Sequence, residues 1–362
     1  MKTGILTFSN ALNPGAVLQA FSLYKGLEEK GNAPELIDYH CDAIVDMHRP
    51  KKVFGPGLGL KARLYGAVYN IVFFPRRVRY RRFVKKRMHS EGPYTKETIK
   101  GADGSFDLYV TGSDQVFNLD LTGGDTTYYL DFVNNGRKAS FAAGAGVIAP
   151  QNVPVIKEKL ETFDYISVRE KMGQEQLKNL CGIDAEVVPD PVFLHTGEEW
   201  RKLLKLKDNG KESRKKGYVL LYLLYESRPL YKVAEIAAAK YGLKVVVVTR
   251  TLRVHYKVDR VVRNTGPREF LQLIAGADYV VTNSFHGTAF SIIFEKPFNT
   301  LIPAPSPERI IELLEATGHM DRAVWSDRKT PLCLGPVEYN DETSSLPLKK
   351  RTEEWIRHIT KG

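Results

Sequence analysis

From Tyr218 to Thr317 the chain alternates short apolar runs with segments of helical period, and no other feature constrains its fold as tightly. The pattern predicts strands at 218–225, 243–249, 279–282 and 298–302, with helices at 230–241, 267–275, 286–294 and 308–317 between and after them. Val245-Val246-Val247-Val248 has no polar face at all. Such a strand belongs inside a parallel sheet covered on both sides. A regular strand–helix alternation makes that sheet part of an α/β architecture.

The first half repeats the pattern less regularly. Strands are expected at 4–8, 36–39, 108–111, 128–132, 139–142, 165–168 and 185–188, and helices at 16–30, 153–163 and 171–180. A chain of 362 residues exceeds what one core usually accommodates. Two Rossmann-like domains facing across a cleft are therefore expected, at 1–195 and 196–340, with a final helix in 341–362. The first would carry a basic insert at 47–90, and the Lys, Arg and Glu of 205–216 read as a linker or exposed loop. No signal peptide is expected from residues 1–9, and no apolar run is long enough to span a bilayer. Cys41, Cys181 and Cys333 are far apart and fit a reducing cytoplasm better than disulfides or a metal site.

The net charge of +11 is concentrated. Between Met47 and Ser90 stand 13 Lys and Arg and no Asp or Glu. Residues 58–74 of this stretch are apolar and aromatic, and Pro75 separates them from the arginine-rich 76–87. Peripheral contact with an anionic membrane through 58–87 is expected, since nearby Lys and Arg each contribute about 1 kcal/mol there. Nucleic acid is the disfavoured partner, because the apolar companion has no use on a phosphate backbone. A helix pair packed on the domain with solvated arginines is the structural alternative.

Four polar turns after strands could carry chemistry: 10–15, 111–115, 168–171 and 283–287. In a doubly wound sheet, ligands bind at the carboxyl ends of strands. A helix start there favours an anion. In Thr282-Asn283-Ser284-Phe285-His286-Gly287 the histidine can hold a phosphate or carry a proton. Arg169 offers a bidentate fork to a phosphate or carboxylate, and alternatively it pairs with Glu170 or another acid. Asp114, after Gly112 and Ser113, is a candidate base or a helix cap. Asp190 could compete for the role of base. No dense metal-ligand cluster and no phosphate-loop motif is present in the sequence.

Seven segments together resemble the polysaccharide pyruvyl transferases nearly end to end. They are Asn13-Pro14-Gly15-Ala16-Val17-Leu18-Gln19, Gly112-Ser113-Asp114-Gln115-Val116-Phe117-Asn118, Lys138-Ala139-Ser140-Phe141-Ala142-Ala143, Ile166-Ser167-Val168-Arg169-Glu170, Val188-Pro189-Asp190-Pro191, Thr282 to Gly287, and Glu295-Lys296-Pro297-Phe298. The resemblance implies a fold like the GT-B glycosyltransferases, with the acceptor on the N-terminal side and the donor on the C-terminal side. It implies transfer of pyruvate from phosphoenolpyruvate, a co-substrate, to two hydroxyls of a sugar as a cyclic ketal, with no cofactor and no metal. Donor-site residues would be Arg169, Asn283, Ser284, His286 and Gly287, with His286, Arg169 and Asp114 catalytic. Asn13, Gln19, Ser113, Gln115 and Asn118 would face the acceptor, expected to be a lipid-linked oligosaccharide at the cytoplasmic face of the cell membrane. Phe117, Phe141 and Gly144 depart from the family's frequent Trp, Tyr and Ser, and bear on which sugar is accepted. A nucleotide-sugar glycosyltransferase of the same architecture and a non-catalytic scaffold in polysaccharide assembly are the alternatives.

Overall fold

A computed structural model describes residues 1–207, 217–303, 307–325 and 332–361. Residues 208–216 of the expected linker lie outside the described residues. The chain divides into two compact units, the first made of Met1–Arg49, Tyr80–His195 and Leu348–Gly362, the second of Pro50–Arg79 and Thr196–Pro347. Two assignments thus differ from the sequence reading. Residues 50–79 of the basic insert belong with the second unit, where Asn264 Nδ2 donates to the Val72 carbonyl at 2.8 Å. The last helix, Leu346–Thr360, joins the first unit from Leu348 onward, and Trp355 Nε1 there donates to the Ser140 carbonyl at 3.0 Å.

In the first unit, β1 (Lys2–Leu6), β2 (Ala33–Tyr39), β3 (Ser90–Tyr94), β4 (Leu108–Gly112) and β5 (Arg137–Phe141) form a parallel sheet in the order β3-β2-β1-β4-β5. A short parallel pair, β6 (Ser167–Val168) and β7 (Glu186–Val187), is joined to it by bridges from Ala139 to Tyr165 and Ala143 to Val168. Every residue of β4 is buried, as expected for a central strand. The strand expected at 128–132 is instead a 3-10 turn, Thr127–Tyr129, followed by Leu130 at φ 54°. Its apolar residues pack as single anchors in the core, with Tyr128 edge-on to Phe8 and Tyr129 stacked on Phe117. Periodicity alone cannot separate such a run from a strand.

The second unit holds β8 (Tyr218–Tyr222), β9 (Lys244–Val248), β10 (Arg260–Val262), β11 (Tyr279–Thr282), β12 (Phe298–Leu301) and β13 (Ala323–Val324). They too are all parallel, in the order β10-β9-β8-β11-β12-β13. The class expected from the sequence, α/β with two Rossmann-like units, is the one observed. Strand order reverses between β1 and β4 in the first sheet and between β8 and β11 in the second. In such folds ligands bind beyond the carboxyl ends of the strands at these reversals.

Beside β12, His319 is buried between Phe298 and Tyr339, its Nε2 3.0 Å from the Thr343 carbonyl. Burial holds its imidazole below the ordinary 6.5, more than the Thr343 contact raises it. The folded state therefore favours the neutral ring. Its contribution is complete above pH 6.5 and is lost as the pH falls from there through the folded-state value. Resistance of the second unit to urea is expected to decline over that window, and His319→Gln should flatten the decline.

Candidate functional site

In the second unit the polar turn after β11 sits at the strand-order reversal. Asn283 reaches across it, Oδ1 accepting from the Leu224 amide at 2.8 Å and Nδ2 donating to the Tyr225 carbonyl at 2.9 Å. It thereby fixes the loop that follows β8. Ser284 caps the helix Phe285–Ile293, its Oγ accepting from the Gly287 amide at 3.3 Å. Its own amide donates to Thr282 Oγ1 at 3.1 Å, and that hydroxyl donates to the Tyr222 carbonyl at 2.8 Å. His286 therefore stands in the first turn of a helix whose start is tied to two neighbouring strands. Its ring is edge-on to Phe285 at 5.2 Å, and the residue is 8% exposed.

Gly287 is required by this packing. A Cβ there would lie 2.4 Å from Thr282 Oγ1 and 3.0 Å from Thr282 Cβ. Thr282 cannot yield without releasing both of its bonds. Gly287→Ala is expected to destabilise the second unit by about 1–3 kcal/mol, the usual cost of overpacking, in a denaturant titration.

Two cations join this place that the sequence patterns do not single out. Burial pushes the Tyr222 hydroxyl up, while Arg76, Arg250 and a hydrogen bond with Ser284 pull it partly back. Tyr222 ends β8 and Arg250 follows β9, so both belong to the same edge of the sheet. Arg76 comes from the helix Leu60–Arg87, whose 60–79 part is held there by Val72 to Asn264 and by Arg79 donating to the Asn264 carbonyl. In the sequence Arg76 is one more member of the basic run, and Arg250 has no motif around it.

In the first unit the turn after β4 is tied to β1, its neighbour at the other reversal point. Gln19 Oε1 accepts from the Ser113 amide at 3.0 Å, Gln19 Nε2 donates to Thr7 Oγ1 at 2.8 Å, and Thr7 Oγ1 donates to the Ser113 carbonyl at 3.1 Å. Asp114 is half-buried, in the left-handed region at φ 72°, with Oδ1 accepting from the Gln115 amide at 2.9 Å. It is a turn residue rather than the cap of a helix. Asp190 holds the turn from below, Oδ2 lying 3.2 Å from Ser113 Oγ and accepting from Arg169 Nη1 at 3.0 Å.

Arg169 is an internal ion-pair partner as well as a candidate donor residue. Nε donates to Glu170 Oε1 at 2.8 Å, and its side chain is only 3% exposed. Burial opposes its charge, but Glu170, Asp190 and Asp114 outweigh that and hold it firmly protonated. Of the two roles the sequence leaves open, the pairing with internal acids is the one seen: Glu170 and Asp190 of its own unit engage the guanidinium.

The expected acceptor residues divide. Gln19 and Ser113 are wholly buried, and their polar atoms are used within the fold, which takes them out of an acceptor's reach. Asn13 caps the helix Pro14–Glu29 by accepting from the Gly15 amide at 3.0 Å and is half-buried. Gln115 and Asn118, also half-buried, bond to one another at 3.1 Å. Phe117 and Phe141 are core residues, so their departure from the family pattern changes packing rather than a sugar contact.

The model of the family described as polysaccharide pyruvyl transferase matches residues 13–303, four-fifths of the chain, including the turns at 111–115, 168–171 and 283–287. The chain belongs to the polysaccharide pyruvyl transferase family. No curated protein matches it significantly. Among solved structures it is similar to UDP-GlcNAc 2-epimerase from Methanocaldococcus jannaschii, at 15% identity over 100% of both chains with a TM-score of 0.54. The same enzyme in complex with UDP-GlcNAc and UDP gives a TM-score of 0.52 at the same identity and coverage. At that identity the likeness concerns the fold. Membership in the pyruvyl transferase family makes the chain a transferase acting on polysaccharide, and its matched span contains both reversal-point turns.

Proposed function

We propose that this pyruvyl transferase takes pyruvate from phosphoenolpyruvate and installs it as a cyclic ketal on a sugar of a lipid-linked polysaccharide precursor, at the cytoplasmic face of the membrane. One observation carries the donor half. At the reversal of the second sheet, His286 sits in the first turn of a helix, with Tyr222, Arg76 and Arg250 on the same side. A helix start and two guanidiniums suit a donor with a phosphate and a carboxylate.

In the reaction His286 protonates the donor's CH₂ carbon, which becomes the methyl group. A sugar hydroxyl attacks C2 and returns a proton to His286. The C2–O bond to phosphate then breaks, a second hydroxyl attacks, and the remaining proton leaves with the phosphate. Two C–O bonds form, one C–O bond and the C=C π bond are lost, and one phosphate is released per ketal. Ser284 and Gly287 shape the helix start, and Asn283 positions the loop after β8. Arg169 acts as a positioning residue, holding Asp190 and through it the Ser113–Asp114 turn.

The test is mass spectrometry of lipid-linked sugars incubated with the protein and phosphoenolpyruvate. A pyruvate ketal with equimolar phosphate is expected. A product formed from a nucleotide-sugar, with none from phosphoenolpyruvate, would replace this reading with that of a glycosyltransferase.

A further inference from the structure

The helix Leu60–Arg87 is apolar on two opposite faces, and among the described residues one of them is covered and the other exposed. At 3.6 residues per turn, Gly66, Tyr69, Phe73, Arg76 and Tyr80 fall on one side, and all are buried or half-buried. This is the docked face. Gly66 sits against the Lys52 backbone, with room for no Cβ, and Asn70 bonds both the amide and the carbonyl of Lys51. Val72 and Arg79 are joined to Asn264, which lies just past the carboxyl end of β10.

The other side carries Leu60, Leu64, Val68, Ile71, Phe74 and Val78, spaced by three or four residues within an arc of about 120°. They run for about 27 Å at 1.5 Å per residue. All six are exposed, Leu60 by 83%, Ile71 by 74% and Phe74 by 62%. Stripes of this size on a soluble protein mark a docking surface. Pro75 lies inside the helix on this exposed side rather than dividing it in two, so the stripe is continuous. Exposed Lys61 and Arg63 flank its start, and exposed Arg81, Arg82, Lys85 and Lys86 follow its end.

We propose that this stripe is the membrane-docking face of the protein, lying in the surface of an anionic bilayer with its flanking cations on the lipid headgroups. Charge selects this occupant. With 13 cations and no carboxylate between Met47 and Ser90, a second copy laid against the stripe would repel it, whereas anionic lipid would attract it. No described helix is long and apolar enough to cross a membrane, and this helix is built to lie on one. The membrane contact expected from the sequence is thereby narrowed to one face, with Phe73, Arg76 and Arg79 turned to the protein. Through Asn264 the same helix covers the strand-end edge that also bears His286, so docking brings that edge of the second unit to the lipid surface. The link to a lipid-carried acceptor rests on the function proposed above; the docking itself does not.

Vesicle sedimentation without donor or acceptor tests it. The wild-type protein is expected to pellet with phosphatidylcholine vesicles containing phosphatidylglycerol and to remain in solution with phosphatidylcholine alone. Leu64→Gln/Ile71→Gln/Phe74→Gln should lower the partition coefficient at least tenfold, with each single variant intermediate and the thermal midpoint unchanged. Arg81→Gln/Arg82→Gln/Lys85→Gln/Lys86→Gln should remove the preference for the anionic vesicles. Equal partitioning of the triple variant and the wild type would overturn the proposal. So would a wild-type dimer in sedimentation velocity that the triple variant dissociates, because a second copy would then cover the stripe.

Discussion

Arg169→Ala should cost about 3–5 kcal/mol of stability in the first unit, the range for removing one partner of a buried ion pair. The side chains of Arg169, Glu170 and Asp190 are 3%, 8% and 0% exposed, so water cannot replace the lost guanidinium. Asp190 would lose the 3.0 Å bond from Arg169 Nη1, and Glu170 the 2.8 Å bond from Arg169 Nε. Lysine should not rescue, because a single ammonium cannot reproduce a fork that serves two carboxylates. Arg169→Met with Glu170→Gln and Asp190→Asn should recover much of the loss, since neutral partners carry no uncompensated charge. Denaturant midpoints compare the variants. If Arg169→Ala unfolds with the wild type, the guanidinium is not what holds these carboxylates.

His286→Ala should lower turnover at saturating phosphoenolpyruvate by about 10²–10⁴-fold, the usual contribution of a positioned acid. The thermal midpoint should change little, because the helix start is fixed by Ser284, Thr282 and Asn283 rather than by the imidazole. His286→Gln keeps side-chain bulk without a group able to titrate, and should lose the same turnover. Phosphate release with a lipid-linked acceptor reads both variants. A role in binding alone would instead raise KM and spare kcat.

Much of the scaffold was legible because burial on both faces leaves a mark in the sequence. β9 and β11 stand out as apolar runs, and the turn that follows β11 is the polar interruption between an apolar strand and a helix. β3 reads Ser-Glu-Gly-Pro-Tyr and β10 Arg-Val-Val; both are edge strands, and neither has an apolar run long enough to notice. The helix Leu60–Arg87 looks like two pieces in the sequence, because a proline inside a helix usually breaks it. Arg169 and Asp190 are 21 positions apart, and only the sheet places them 3.0 Å from one another. The sequence left open whether the arginine served a ligand or an internal acid. Arg76 is chemically indistinguishable from its neighbours in the basic run, and only the helical phase turns it toward Tyr222.

Running the transfer in deuterium oxide tests the central claim most directly, because protonation of the donor carbon must leave its mark on the product. The ketal formed by the wild type should carry one deuterium in its methyl group, accompanied by one phosphate per ketal, and His286→Ala should form almost none. A product that keeps the donor's CH₂=C unit, or an equal yield of labelled ketal from His286→Ala, would contradict it.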